Sequence, residues 1–212
     1  FLNKFIKKEF NKVKTENILL PSGVDLEIFN TPKADMRVSK KIIFIGNLLR
    51  FGKERSLDTV INAFSSPELE DYNLSLVGGP DSEAMKIKKL ILEKNISNIN
   101  VTGRLNRTEI VQELSSSSVG LLINAPTKHS KYFTSPLKYF EYLALSLSVV
   151  AVDFPSHRVL PNQENIFYFE NNEDSLIKAV KNACNSDFKK IDLQEISLDN
   201  RAKKIIELFK SF

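Results

Sequence analysis

The stretch SPLKYFEYLALSLSVVAVD, residues 135–153, sets a helical pattern directly against a strand pattern. From Ser135 to about Leu147, the residues Leu137, Phe140, Ala144 and Leu147 recur at helical spacing, and Tyr139, Tyr142, Leu143 and Leu145 fill the other faces. A helix that is apolar all round is a buried helix. Only Lys138 and Glu141 carry charge, three residues apart and so on one face. The run that follows, SVVAVD (148–153), is short, continuous and β-branched, the pattern of a strand buried on both sides.

The same alternation extends outward. Upstream, KIIFIG (41–46), NLSLVGG (73–79), NINVTG (98–103) and SVGLLIN (118–124) read as strands. Between them, SLDTVINAF (56–64), SEAMKIKKLILEK (82–94) and NRTEIVQELSS (106–116) read as helices. Ser82 is available to cap the second of these, and Asn106 stands three before Glu109, a capping-box spacing. Downstream, NIFYFE (165–170) is a strand, SLIKAVKNAC (175–184) a helix, and DNRAKKIIELF belongs to a last helix over about 199–210. Strands alternating with helices predict an α/β fold: a Rossmann-like parallel sheet with helices on both faces.

The first 40 residues break this rhythm. Residues 1–14 place Phe1, Leu2, Phe5, Ile6, Phe10 and Val13 near one face and five lysines on the others, a basic amphipathic helix. It reads as a surface helix packed on a core; a peripheral membrane contact is the sharper alternative, since anionic lipid attracts such faces. NILL (17–20) reads as a short strand, Pro-Ser-Gly (21–23) as a turn, and residues 30–40, with Pro32, as a linker. The chain opens on Phe1, already inside the helical pattern, so it is expected to be part of a longer protein.

Composition narrows the function classes. Apolar residues are 42% and charged residues 26%, a soluble globular mix, and a net charge of +4 with both signs abundant is no nucleic-acid-binding tail. The single cysteine, Cys184, allows neither an internal disulfide nor a cysteine zinc site, and it fits a reducing, cytoplasmic setting. No apolar run reaches the roughly 18 residues that suggest a membrane span. Neither G-x-G-x-x-G nor G-K-[ST] occurs, and no D-x-D offers carboxylates to a metal-bound diphosphate. His129 and His157, the two histidines, lack partners at metal-ligand spacing and read as ordinary surface loop residues.

In open α/β sheets the ligand sits at the carboxyl ends of the strands. Those ends carry GNLLRFGKERS (46–56), GGPDS (78–82), GRLNR (103–107) and NAPTKHSKYFTSP (124–136). Glycines let a backbone approach a ligand, arginine and lysine suit phosphate, and a helix N-terminus adds free N–H groups. The sum is a phosphate-rich small-molecule site, a nucleotide being the expected ligand.

The ordered motifs resemble the C-terminal, donor-binding half of GT-B glycosyltransferases of the retaining group-1 (family-four) class. The resemblance rests on SGVDLEIF (22–29), GNLLRFGKERSLDTVINAF (46–64), LSLVGGP (74–80), NVTGRLNRTEI (100–110), SPLKYFEYLALSLSVVAVD (135–153) and LDNRAKKI (198–205), and it covers about residues 16–210. It implies that residues 1–29 close the acceptor domain and cross over, that 30–40 link, that 41–198 form the nucleotide-sugar-binding domain, and that 199–212 pack back toward the first domain. It implies a donor site of Gly46, Asn47, Arg50, Gly103, Arg104, Ser135, Pro136, Leu137 and Glu141, with Glu141 on the ribose hydroxyls. Arg55 and Lys138 are implied as the catalytic groups that stabilise the leaving diphosphate, with Lys53 an alternative to Arg50. No metal and no cofactor are expected; the partners are a nucleotide sugar and, through the other domain, a glycan or lipid-linked acceptor, as in bacterial polysaccharide assembly.

The chain departs from the family pattern at several places, Leu198 standing for its closing tryptophan among them. Phe133 stands where the family's E-x7-E pair begins, and Asn47 replaces an arginine. Two other readings stay open: a degenerate nucleotide-binding or assembly module, and a nucleotide-sugar epimerase of the same fold.

Overall fold

A computed structural model of the protein describes residues 1–10, 18–29, 40–50, 53–54 and 57–210. Six parallel strands form its central sheet: β1 (Lys41–Ile45), β4 (Asn73–Val77), β5 (Ile99–Gly103), β6 (Val119–Leu122), β7 (Ser148–Val152) and β8 (Ile166–Phe169). A two-stranded antiparallel ribbon, β2 (Leu49–Arg50) with β3 (Lys53–Glu54), projects from the loop after β1. That loop carried no strand pattern in the sequence.

The order across the sheet is β5-β4-β1-β6-β7-β8. The chain builds outward from β1 in one direction, then returns to β1's other side and builds in the opposite one. The two directions part between β1 and β6, the switch point at which open α/β sheets take their ligands.

Side chains alternate between the two faces. Ile42 and Phe44 join one core with α2 (Leu57–Phe64), α3 (Asp81–Glu93) and α7 (Glu173–Asn185). Ile43 and Ile45 join the other, against α6 (Leu137–Ala144) and Leu114 of α4 (Arg107–Ser115). Both cores touch β1, β4, β6, β7 and β8, which is why the inner strands read as unbroken apolar runs. The capping box of α4 forms in both halves: Glu109 N–H donates to Asn106 Oδ1 at 3.0 Å, and Asn106 N–H to Glu109 Oε2 at 2.7 Å.

Several local expectations are corrected. The N-cap of α3 is Pro80, not Ser82, which lies inside the first turn. The apolar helix is shorter than 135–147: Pro136 caps α6, and the chain leaves it through Ser146, which adopts a left-handed φ of 56°. Residues 18–20 form no strand; the Phe1 ammonium donates to Ile18 O and Leu20 N–H to Phe1 O. The first helix, α1 (Lys4–Glu9), begins after Phe1, because the Asn3 side chain accepts from the N–H groups of Phe5 and Ile6. The remainder of the 1–14 pattern and nearly all of the 30–40 linker lie outside the described residues. The C-terminal helix α8 (Leu198–Lys210) buries none of its residues, and Arg201 Nε donates to Pro21 O at 2.9 Å.

Candidate functional site

Strand ends bring three glycines together. Gly78 N–H donates to Gly103 O at 2.7 Å, and Gly46 N–H to Val77 O at 3.0 Å. A Cβ on Gly78 would stand 1.8 Å from the Gly46 carbonyl oxygen, and its φ of +149° also favours glycine. These turns close on one another. Arg104 lies across this corner, its side chain so near Gly79 that a Cβ there would meet Nε at 2.7 Å.

The open space is a cleft of about 720 Å³ at the switch point. Phe44, Ile45, Asn47 and Leu49 form its β1 wall, and Leu121 to Asn124 its β6 wall. The third wall is the segment from α5 (Lys128–Tyr132) into α6, with His129, Phe133, Thr134, Ser135, Pro136, Leu137 and Lys138. Leu2 reaches in from the chain's first residues.

The start of α6 gives the cleft its positive end. Its N-cap is proline, which brings no side-chain acceptor to the first-turn N–H groups. Those groups and the helix dipole favour an anion. Lys138 Nζ lies 2.8 Å from Glu141 Oε2, with the lysine side chain 33% and the glutamate side chain 14% exposed. The charged pair on the otherwise apolar helix is thus a direct ion pair.

A polar network holds the third wall. Thr134 Oγ1 donates to Ser130 O at 3.2 Å and lies 3.1 Å from Ser156 Oγ, which itself donates to Ser130 O at 2.9 Å. All three residues are buried. From the other side, Ser22 N–H donates to Ser135 Oγ at 2.9 Å and Ser22 Oγ to Ser135 O at 3.0 Å. Lys128 Nζ stands 5.6 Å from the centre of the Phe133 ring.

Of the residues singled out in the sequence, Asn47, Ser135, Pro136, Leu137 and Lys138 line one cleft. Gly46 sits between two lining residues. Gly103, Arg104 and Glu141 are not among the lining side chains. Arg50 lies in β2, and Arg55 lies outside the described residues.

The sequence reading missed the burial of His157 and the place of His129. His129 is exposed, as read, but it is on α5 rather than in a loop, and it lines the cleft. His157 is fully buried, its Nδ1–H donating to Val152 O at 2.7 Å and its Nε2 without a partner among the described residues. Burial holds its pKa down to about 4, outweighing the Val152 carbonyl and Asp153, so it is neutral. Asn124, which lines the cleft, was quoted in its loop but not singled out. The only signal for it or His129 was position after a strand end.

Among the described residues, no three or more His, Cys, Asp or Glu side chains gather as metal ligands do. Nor is any described helix long and apolar enough to cross a membrane.

A family model described as "Glycosyl transferases group 1" matches residues 39–186. A comparison with curated proteins found no significant match. Solved structures share the fold. Sucrose-phosphate synthase from Thermosynechococcus elongatus superposes with a TM-score of 0.67 at 15% identity, over 97% of this chain and 55% of that one. A glycosyltransferase from Rickettsia africae gives 0.67 at 15% identity, over 99% and 62%. The pneumococcal O-GlcNAc transferase in complex with UDP and GlcNAc gives 0.61 at 18% identity, over 99% and 42%. The chain therefore spans about two-fifths to three-fifths of the length of these proteins.

Proposed function

The chain belongs to the group 1 glycosyl transferases, and on that premise we propose that its cleft binds the nucleotide-sugar donor of a retaining, metal-independent glycosyltransferase. The observation that carries the reading is the coincidence at one place of the sheet's switch point, a cleft of about 720 Å³ and the proline-capped N-terminus of α6 with Lys138 beside it.

In this reading the diphosphate lies against the first turn of α6. Sugar transfer breaks the bond between the anomeric carbon and the terminal phosphate oxygen, and charge grows on that oxygen. Lys138 and the α6 N–H groups stabilise this charge from fixed positions, the kind of preorganised electrostatics that lowers such barriers. Arg55 is assigned the same task. Asn47, Ser135, Pro136 and Leu137 shape the diphosphate pocket; Gly46, Arg50, Gly103 and Arg104 are assigned to the surroundings of the nucleoside, and Glu141 to the ribose. An acceptor hydroxyl, from a glycan or a lipid-linked glycan, attacks the anomeric carbon from the face the diphosphate leaves.

The acceptor is assigned to a further domain. Residues 1–29 are its closing segment and crossover, 30–40 the link, 41–198 the donor domain, and 199–212 the return helix. The residues around His129 in the cleft wall, namely Asn124, Phe133 and Thr134, fit sugar contact better than the acid–base pair an epimerase needs.

Titration calorimetry of the chain with UDP and GDP tests the reading. Saturable binding of one of them, weaker for the bare nucleoside, is expected. Absence of binding by both overturns it and leaves a degenerate module.

A further inference from the structure

The buried side chain of Asn3 reaches far along the sequence. It is 6% exposed, and both ends of its amide are used. Oδ1 accepts from Phe5 N–H and Ile6 N–H, each at 3.0 Å, which starts α1. Nδ2 donates to Tyr132 O and to Thr134 O, each at 3.0 Å, across 129 and 131 residues of sequence. Those two carbonyls flank Phe133, which lines the cleft, and the segment runs on into Pro136 and α6.

Around this amide the contacts are of lesser kind. The Phe5 ring meets Tyr132 edge-on at 5.4 Å, and Lys128 Nζ lies 3.8 Å from Glu9 across exposed surface. Leu2, the residue before Asn3, itself lines the cleft. Two donors aimed at two carbonyls fix the path of the backbone between them in a way that an edge contact or a solvated ion pair does not.

We propose that Asn3 is a positioning residue for the cleft: a latch through which the docking of α1 sets the wall from Tyr132 to Pro136 and so the aim of α6. The inference rests on the donor-site reading above. Its thermodynamic content is reciprocal: if a docked α1 improves the cleft for a nucleotide, a bound nucleotide must hold α1 in place.

Asn3→Asp separates this role from helix capping. Aspartate is as good an N-cap as asparagine, so the bonds from Phe5 and Ile6 survive. It has no donor for Tyr132 O and Thr134 O, and places negative charge against both. UDP and GDP are titrated by calorimetry into the native chain, Asn3→Asp and Glu9→Ala, and amide hydrogen exchange of α1 is measured with and without nucleotide. The latch predicts that Asn3→Asp weakens nucleotide binding by about tenfold or more, as two lost hydrogen bonds would. Glu9→Ala, which breaks only the exposed ion pair, is expected to bind as the native chain does. Exchange at Phe5 and Ile6 is expected to slow when nucleotide binds the native chain. Equal affinity of the native chain and Asn3→Asp overturns the latch, as does α1 exchange that ignores bound nucleotide. Should the native chain bind neither UDP nor GDP, the donor-site reading fails first and the latch with it, a result distinct from the other two.

Discussion

Gly120 and Tyr142 lie closer than any other residue type at position 120 would permit. A Cβ built on Gly120 in β6 would fall 2.4 Å from Cδ2 of the Tyr142 ring. The ring's hydroxyl reaches over the seam between two strands, accepting from Ile45 N–H at 3.3 Å and donating to Leu121 O at 3.3 Å. One side chain of α6 is therefore keyed to both strands that frame the cleft.

Gly120→Ala should cost about 1–3 kcal/mol of stability, since the added methyl group forces ring or strand to move. Tyr142→Phe should cost about 1 kcal/mol, the usual worth of a buried hydroxyl's bonds. Urea unfolding monitored by circular dichroism measures both. If Gly120→Ala is as stable as the native chain, the close approach is not a constraint.

Lys138 and Glu141 make opposite predictions about one ligand. Lys138→Met should weaken UDP by about tenfold and uridine hardly at all, as removal of a charge-assisted phosphate bond requires. Glu141→Gln should weaken both and should cost a 2′-deoxy nucleotide less than its ribose parent, because one of the two ribose bonds is already gone. Calorimetry on the two variants with UDP, uridine and 2′-deoxy-UDP decides it. A double-mutant cycle in which the carboxylate and the 2′-hydroxyl contribute additively would remove Glu141 from the ribose.

His157 makes stability depend on pH. Its folded pKa, about 4, lies below the ordinary 6.5, so the unfolded chain binds more protons at intermediate pH. The stability it contributes is present above about pH 6.5 and is lost as pH falls toward 4. Between pH 7 and pH 5 the loss is on the order of 2 kcal/mol. Urea midpoints across that range should fall for the native chain and fall less for His157→Gln. An unchanged slope in the variant would assign the acid sensitivity to other groups.

Nucleotide affinity should be indifferent to EDTA. Among the described residues no cluster of metal-ligating side chains exists, and the positive charge proposed for the diphosphate comes from Lys138, Arg55 and the α6 terminus. Loss of UDP binding on chelation, restored by a divalent cation, would contradict this.

The strands were legible because burial on both faces removes polar residues from them: KIIFIG, SVGLLIN and SVVAVD are continuous for that reason. Asn106 was legible because a capping box is local chemistry. Ser82 misled because proline ahead of it fixes the backbone that a cap requires, and the helix begins one residue earlier. The histidines were illegible, since a lone polar residue between elements carries no periodicity to say whether it faces a cleft, a core or water. Asn3 was illegible for a deeper reason. Its donors meet carbonyls more than 120 residues away, and no local pattern encodes such a contact. For the cleft, the resemblance supplied the order of motifs and the fold supplied their convergence; Glu141 and Arg104 were named with it but do not line it.

The strand order also bears on how the chain folds. Every neighbouring pair in the central sheet except β1–β6 joins strands that are successive members of that sheet in the chain. The β1–β6 pair closes a loop that spans Lys41 to Ser118, 77 residues. Long closures are slow relative to local ones, so the two three-strand halves are expected to organise before they meet. The cleft lies on that late seam and does not exist until it closes. A nucleotide that recognises the cleft should therefore leave the refolding rate unchanged and slow unfolding, with the whole gain in stability appearing in the unfolding limb of the chevron.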